Sequence, residues 1–245
     1  MVISNGAIIL VLLASVTAYL LKGLVGFGPS LIIVPILSFF IDFKSAVVVT
    51  TLADISSSGY LFIKGRKKVK IKKIGIIIAG LLVGTIIGVF LFKFLSVTSI
   101  KKIFGIMIII VVLKNFLRRN KKVMKTFKKP IGLVVGLIGG ILGGLTNTNG
   151  PPIVLYLNKV IRNKKALRAN LAAIFITDAI WRGVLFGVNG YIDGTVLSVF
   201  SFIVLPGLIT GLSLGNVCIK KLNNKTISNM IEFVLLVIGS GLLLK

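Results

Sequence analysis

Two carboxylates stand where charge is expensive. Asp54 and Asp178 each interrupt a long apolar run, and a carboxylate inside a membrane helix needs a partner or water. Asp178 has a partner in reach, because Arg182 follows four residues later on the same helical face. Asp54 has only Ser56, Ser57 and Ser58 close by in sequence, so its partner must be Lys22 or a group from the other half of the chain. Both a proton-coupling role for Asp54 and a structural hydrogen bond fit that position. Arg182 can offset the charge of a cargo or simply neutralise Asp178. Lys22 has the same choice between attracting an anion and pairing with Asp54. A second constellation is Thr146, Asn147, Thr148 and Asn149, four successive hydrogen-bonding side chains within the uncharged stretch 130–158.

What is missing narrows the chemistry. The chain has no histidine, one cysteine (Cys218) and five acids. Histidine metal sites and Ser-His-Asp triads are impossible, and so is an internal disulfide. Asp54, Asp178 and Glu232 are the acids in apolar surroundings, too few for a carboxylate-rich metal site. Glu232, near an expected helix start, suits the positive end of the helix dipole. No catalytic residue, metal site or cofactor is expected. No Walker-type loop is present either. A binding and passage route for a small solute suits this inventory better than bond-breaking. Cation or metal permeation, and a membrane-embedded enzyme or assembly factor, stay open as alternatives.

The elements that must hold these residues are membrane helices. Of 245 residues, 56% are hydrophobic and 14% charged, against roughly 25% charged in an ordinary soluble domain. The first charge is Lys22, and further uncharged runs cover 23–41, 74–92, 130–158 and 194–219. Apolar segments lie at about 5–26 (continuing to 41), 45–63, 74–92, 99–117, 130–145 (continuing to 157), 169–188, 195–219 and 227–244. This predicts an all-α polytopic membrane protein. No basic region precedes the first apolar run, which reads as a retained membrane segment.

Two of the runs carry internal breaks. Residues 22–35 and 139–152 place glycines and proline mid-run, and proline should end the helix near Pro29 and near Pro151 and Pro152. The breaks recur. Gly28 and Pro29 match Gly150 and Pro151, 122 residues on. Asp54, Gly59, Leu61 and Phe62 match Asp178, Gly183, Leu185 and Phe186 at 124, and Gly84 and Gly88 match Gly207 and Gly211 at 123. Three ordered blocks at nearly constant offset predict two repeats of about 120 residues with discontinuous helices, 1–119 and 120–245, a pattern typical of transporters.

The excess of positive charge then addresses topology. The chain holds 30 Lys and Arg. If both broken segments cross once, the two sides of the membrane hold 15 and 12 of them. If both fold back as hairpins, one side holds 22, in loops 64–73, 118–129, 159–168 and 220–225, and the other holds 5. Lys and Arg accumulate in cytoplasmic loops, so the hairpin arrangement is expected. Each repeat then crosses three times, the repeats are inverted, and both termini lie outside. The basic loops suit anionic lipid headgroups rather than nucleic acid; a homo-oligomer is compatible.

Backbone that leaves the helix inside a membrane must be satisfied by protein or a wet cavity. The breaks should therefore face one another. Gly26, Gly28 and Gly150 give conformational freedom, residues 146–149 give hydrogen bonds, and half-helices starting after the prolines would aim N–H groups at the midplane. Such ends attract anions. The expected site is Gly26, Gly28, Pro29, Thr146, Asn147, Thr148, Asn149, Gly150 and Pro151, with Lys22, Asp54, Asp178 and Arg182 in coupling or structural roles, and a small oxyanion as cargo.

These residues resemble the motifs of the TauE/SafE family of sulfite-exporter-type permeases, also called the four-toluene sulfonate uptake permease family. The resemblance covers essentially the whole chain in two halves. The first motif falls on Gly23, Gly26, Gly28 and Pro35, and its counterpart falls on Gly140, Gly143, Gly144, Gly150, Pro151 and Pro152, followed by Leu155, Tyr156 and Leu157. The chain departs from the commoner pattern of three glycines, with Gly28, Pro29 and Ser30 in one half and Asn149 to Pro152 in the other; the departure leaves room for a cargo other than sulfite. The resemblance implies an inner-membrane permease for sulfite, a sulfonate or another small organic anion. Exporters and importers share the pattern. Cysteine labelling checks the topology: in a Cys218→Ser background, cysteines at Ser4 and Lys44 label from outside, and cysteines in 64–73 label only after permeabilisation.

Overall fold

The computed structural model describes residues 5–117, 129–161 and 163–218. Ten α-helices and no strand occur among them: α1 (Asn5–Val25), α2 (Ser30–Leu37), α3 (Phe43–Gly65), α4 (Ile71–Phe94), α5 (Val97–Leu117), α6 (Lys129–Thr146), α7 (Gly150–Val160), α8 (Lys164–Val188), α9 (Gly194–Val199) and α10 (Leu205–Cys218). A 3-10 turn, Arg66–Lys68, follows α3, and a π-helical turn, Phe200–Val204, joins α9 to α10 just ahead of Pro206. Most of the basic cluster 118–129, the cluster 220–225, Glu232 and the expected span 227–244 lie outside the described residues.

Among the described residues, five helices are long and apolar enough to cross a membrane: Gly6–Val25, Phe43–Lys68, Ile71–Phe94, Lys165–Val188 and Gly194–Gly215. The sequence also predicts a span over 99–117. The α5 helix occupies those residues but carries Lys101, Lys102 and Lys114, too many charges for it to join the five. Four helix starts among the described residues are built by capping side chains that accept from backbone N–H groups, one of them Ser96, which accepts from Ser99 at the head of α5. Asp42 accepts from Lys44 and Ser45 at the head of α3, Asn163 from Ala166 at the head of α8, and Asp193 from Val196 at the head of α9.

Small residues decide which helices touch. Where Gly80, Gly84 and Gly88 of α4 meet α6, an added methyl would run into the carbonyls of Leu133, Leu137 and Ile141. The same closeness holds where Gly207, Gly211 and Gly215 of α10 meet Leu12, Val16 and Leu20 of α1. In membranes, where lipid is as apolar as leucine, this backbone approach is what holds helices together. The order of contacts makes α4 and α6 run the same way, and likewise α1 and α10. The α3 and α8 helices run antiparallel, since Gly65 meets Ala169, Gly59 meets Ile176 and Gly183 meets Ile55.

Both broken segments fold back. Ile8 near the start of α1 and Ile41 beyond α2 line one cavity with Gly194 and Thr195, so the first segment begins and ends at the same end of the bundle. The second does so at the opposite end. There Gly132, near the start of α6, lies against the Tyr156 hydroxyl of α7, and Lys73 Nζ donates to the Val160 carbonyl at 3.4 Å. That is the end where Asn170 binds the backbone of Lys68 and Lys70. Gly84→Val should cost about 1–3 kcal/mol through overpacking, read as a lowered thermal midpoint of the purified chain in detergent, while Gly75→Val, with nothing within 4 Å of its added carbon, leaves the midpoint in place.

Candidate functional site

The two hairpin tips meet inside the bundle. The α1 helix ends at Val25 and the chain turns through Gly26 (φ 93°) and Gly28 (φ 95°) before α2 begins at Ser30. A side chain at either φ would be strained. The α6 helix ends at Thr146, and Asn147 takes the left-handed conformation at φ 56°, which asparagine tolerates better than most residues. The tips touch directly: Asn147 Nδ2 donates to Ser30 Oγ at 2.9 Å, and Phe27 lies on Gly150, where an added carbon would fall 2.8 Å from its ring.

Between the tips is a cavity of about 20 Å³, lined by residues 27–31 and 147–151 with Lys22, Asp54 and Phe175. That volume holds about one water. Gly28, Pro29, Asn147, Thr148, Asn149, Gly150 and Pro151 of the expected site line it. Gly26 and Thr146 are not among its lining residues. Gly26 packs on the Arg168 side chain, and the Thr146 hydroxyl donates back to the Leu142 carbonyl at 2.9 Å.

One expectation about the half-helices changes. The α2 helix does begin just after Pro29, but α7 begins at Gly150, so Pro151 and Pro152 occupy its first turn. Proline lacks an N–H, which removes two of the donors a helix start normally offers. In α2, the Leu31 and Ile32 N–H groups are taken by the carbonyls of Gly28 and Pro29. Among the described residues, Ser30 and Gly150 keep first-turn N–H groups without a backbone partner. Side chains therefore supply most of the donors at the tips.

A chain of buried charges runs from one tip to the other. Lys22 Nζ contacts Asp54 Oδ1 at 2.6 Å and Ser57 Oγ at 2.7 Å. Arg182 Nη2 lies 3.9 Å from Asp54 Oδ2, and its Nη1 donates to Asp178 Oδ2 at 2.6 Å. Asn149 Nδ2 donates to that same oxygen at 2.6 Å, and Thr85 Oγ1 donates to Asp178 Oδ1 at 2.5 Å. Arg182 Nε reaches Thr51 Oγ1 at 3.1 Å. Relative exposures are 0% for Asp178, 1% for Arg182, 2% for Lys22 and 8% for Asp54. Two cations and two carboxylates sum to zero, the condition under which buried charge is tolerated.

Sequence reasoning anticipates the Asp178–Arg182 pair and names Lys22 as a partner for Asp54. It misses Ser30, Thr51, Ser57 as a ligand of Lys22, and Thr85. Thr85 lies between Gly84 and Gly88 of the repeated motif, and a polar residue in the middle of a glycine packing face was the available signal. Ser30 and Thr51 carry no comparable mark. Arg182→Met should cost about 3–5 kcal/mol by leaving the buried carboxylates unbalanced, and adding Asp178→Leu should return part of the loss, both read from thermal unfolding in detergent. Equal loss in the double variant would mean the pair does not act as a unit.

A family model described as Sulfite exporter TauE/SafE matches residues 11–242, which include both hairpin tips and every residue of the charge chain. No curated protein matches. No solved structure matches either.

Proposed function

The chain belongs to the sulfite exporter TauE/SafE family, a family of multi-pass membrane transporters of the sulfite or sulfonate type, and from that premise we propose that it is a secondary permease for a small oxyanion bound between the two hairpin tips. The observation that carries this reading is the meeting of both tips over a polar cavity with a buried lysine in its wall. Broken helices meeting at mid-depth are the usual form of a transporter's binding site.

The cavity chemistry favours an anion. Lys22 supplies charge, and Ser30, Thr148 and Asn149 supply polar groups. The Asn147 amide is suited to donate as well. Its Oδ1 is buried without a partner. Turning the amide over keeps the Ser30 contact, with the Ser30 hydroxyl donating, and points the NH2 away from Ser30. Oxygen and nitrogen of an amide are told apart only by such networks. At about 20 Å³ the cavity is smaller than any oxyanion of this class, so cargo enters as the tips separate. Gly26, Gly28 and Gly150 serve that site through the backbone, as the turns and close contact that bring the tips together.

Inverted repeats over 1–119 and 120–245 fit the same reading. Shifted by about 123 residues, α1, α3 and α4 fall on α6, α8 and α10. The pairing is reciprocal: α1 lies against α10 as α6 lies against α4, and α3 lies against α8. Corresponding helices run in opposite directions, as an axis in the membrane plane requires. The basic end of the bundle, with Lys64, Lys67, Lys68, Lys72 and Lys73, is then cytoplasmic and touches anionic lipid, and both termini lie outside the inner membrane.

Proteoliposomes of the full chain should take up labelled sulfite, methanesulfonate, taurine, sulfoacetate or lactate, with at least one anion carried well above empty vesicles. Asn147→Gly keeps the left-handed turn and removes the amide; it should lower the rate about tenfold, the loss of one hydrogen bond to a charged ligand. Full transport in that variant removes Asn147 from the site. Carriage of a divalent cation with no anion flux would replace the anion reading with cation permeation.

A further inference from the structure

The two carboxylates of the charge chain are not equivalent. Asp178 accepts from Thr85 on one oxygen and from Asn149 and Arg182 on the other, and it is not among the residues lining the cavity. Asp54 lines the cavity. Its Oδ1 accepts from Lys22, while Oδ2 accepts no hydrogen bond among the described residues and has Arg182 only at 3.9 Å. Water in the cavity can therefore deliver a proton to Asp54 and has no route to Asp178.

Charge balance gives that proton a use. Lys22, Asp54, Asp178 and Arg182 sum to zero in a water-poor interior. Adding a monoanion leaves an uncompensated charge, which a membrane interior penalises heavily. The Lys22 ammonium is also already engaged, by Asp54 Oδ1 and Ser57 Oγ. One proton on Asp54 resolves both difficulties. The cluster becomes +1, matching a single negative charge, and Asp54 loosens its hold on Lys22.

We infer that Asp54 and Lys22 form a proton-operated switch, so that one proton crosses with each monoanion; the inference rests on the anion-permease reading. A proton from cavity water binds Asp54 Oδ2. Lys22 keeps its three protons and exchanges Asp54 Oδ1 for an oxygen of the anion, with Ser57 as its remaining ligand. On the other side the proton leaves to water, Lys22 returns to Asp54, and the anion is expelled. The groups facing Asp54 agree with this assignment. Lys22 and Tyr19 approach from α1, Arg182 and Asp178 from α8, and Ser57 and Ser58 belong to α3 itself. Arg182 is fixed by Asp178 and Thr51, which leaves Lys22 as the cation free to change partner. Because Lys22 lies four residues before the turn at Gly26, its release also loosens the first tip.

The test uses the full chain in proteoliposomes with labelled methanesulfonate, which stays a monoanion throughout the working pH range. With the membrane potential clamped at zero, an inward proton gradient should raise uptake severalfold. External alkalinisation should match the label at one proton per anion, and a potential jump at equal pH should leave uptake unchanged. Asp54→Asn should carry the anion without moving protons, lose its response to pH and become driven by potential. Lys22→Gln should carry none. In case Asp54→Asn does not fold, calorimetry of methanesulfonate binding to the wild-type chain in two buffers of different ionisation heat should show one proton taken up per anion. Wild-type uptake that follows potential and moves no protons overturns the switch and leaves the permease standing. A folded wild-type chain that carries none of sulfite, methanesulfonate, taurine, sulfoacetate and lactate overturns the permease reading, and the switch with it; if it carries another of them but not methanesulfonate, the proton count is made with that solute.

Discussion

Backbone polar groups inside a bilayer must find partners within the protein, and the architecture follows from breaking that rule's easiest solution twice. A continuous helix satisfies itself; a helix interrupted at Gly26–Pro29 or Asn147–Asn149 does not. Each break is tolerable because the other is there to meet it. Asn147 reaches Ser30 across the gap, and Phe27 covers Gly150. The glycine faces of α4 and α10 serve this end, since they let the long limbs α6 and α1 pack closely enough to bring the tips into register.

The buried charges extend that dependence. Each tip is tied to one carboxylate, the first through Lys22 to Asp54 and the second through Asn149 to Asp178, and Arg182 stands between them. The two hairpins are thus joined by one electrically neutral cluster as well as by contact. Neutrality makes the cluster stable without cargo, and it also makes any charged cargo a perturbation. Among the described residues, the acids outside the cluster have different work: Asp42 and Asp193 cap helices at the end of the bundle opposite the basic loops.

Much of this was readable from particular residues. Pro29, Pro151 and the glycines beside them marked the breaks, because proline cannot continue a hydrogen-bonded helix. The i, i+4 spacing of Asp178 and Arg182 marked a pair. Other features were not readable in one dimension. Nothing local separates Ser30 or Thr51 from the other hydroxyls of the chain, and Ser57, rather than Ser56 or Ser58, meets Lys22 because of helix rotation. The expected row of N–H donors at α7 was weakened by where the helix begins: starting at Gly150 places both prolines in the first turn.

The sequence by itself determined that the chain lives in a membrane, where its helices break, and which few charged residues must be dealt with inside, because hydrophobic length, proline chemistry and the cost of buried charge are local properties. Only the tertiary structure decided which of the possible partners distant in sequence actually meet. Lys22 and Asp54 are 32 residues apart and Thr85 and Asp178 are 93, and such pairings depend on which helices lie side by side. That choice is made by glycine faces whose partners the sequence does not name. It also decided that Asp54 faces the cavity while Asp178 is sealed away from it, a difference that two similar sequence contexts cannot reveal.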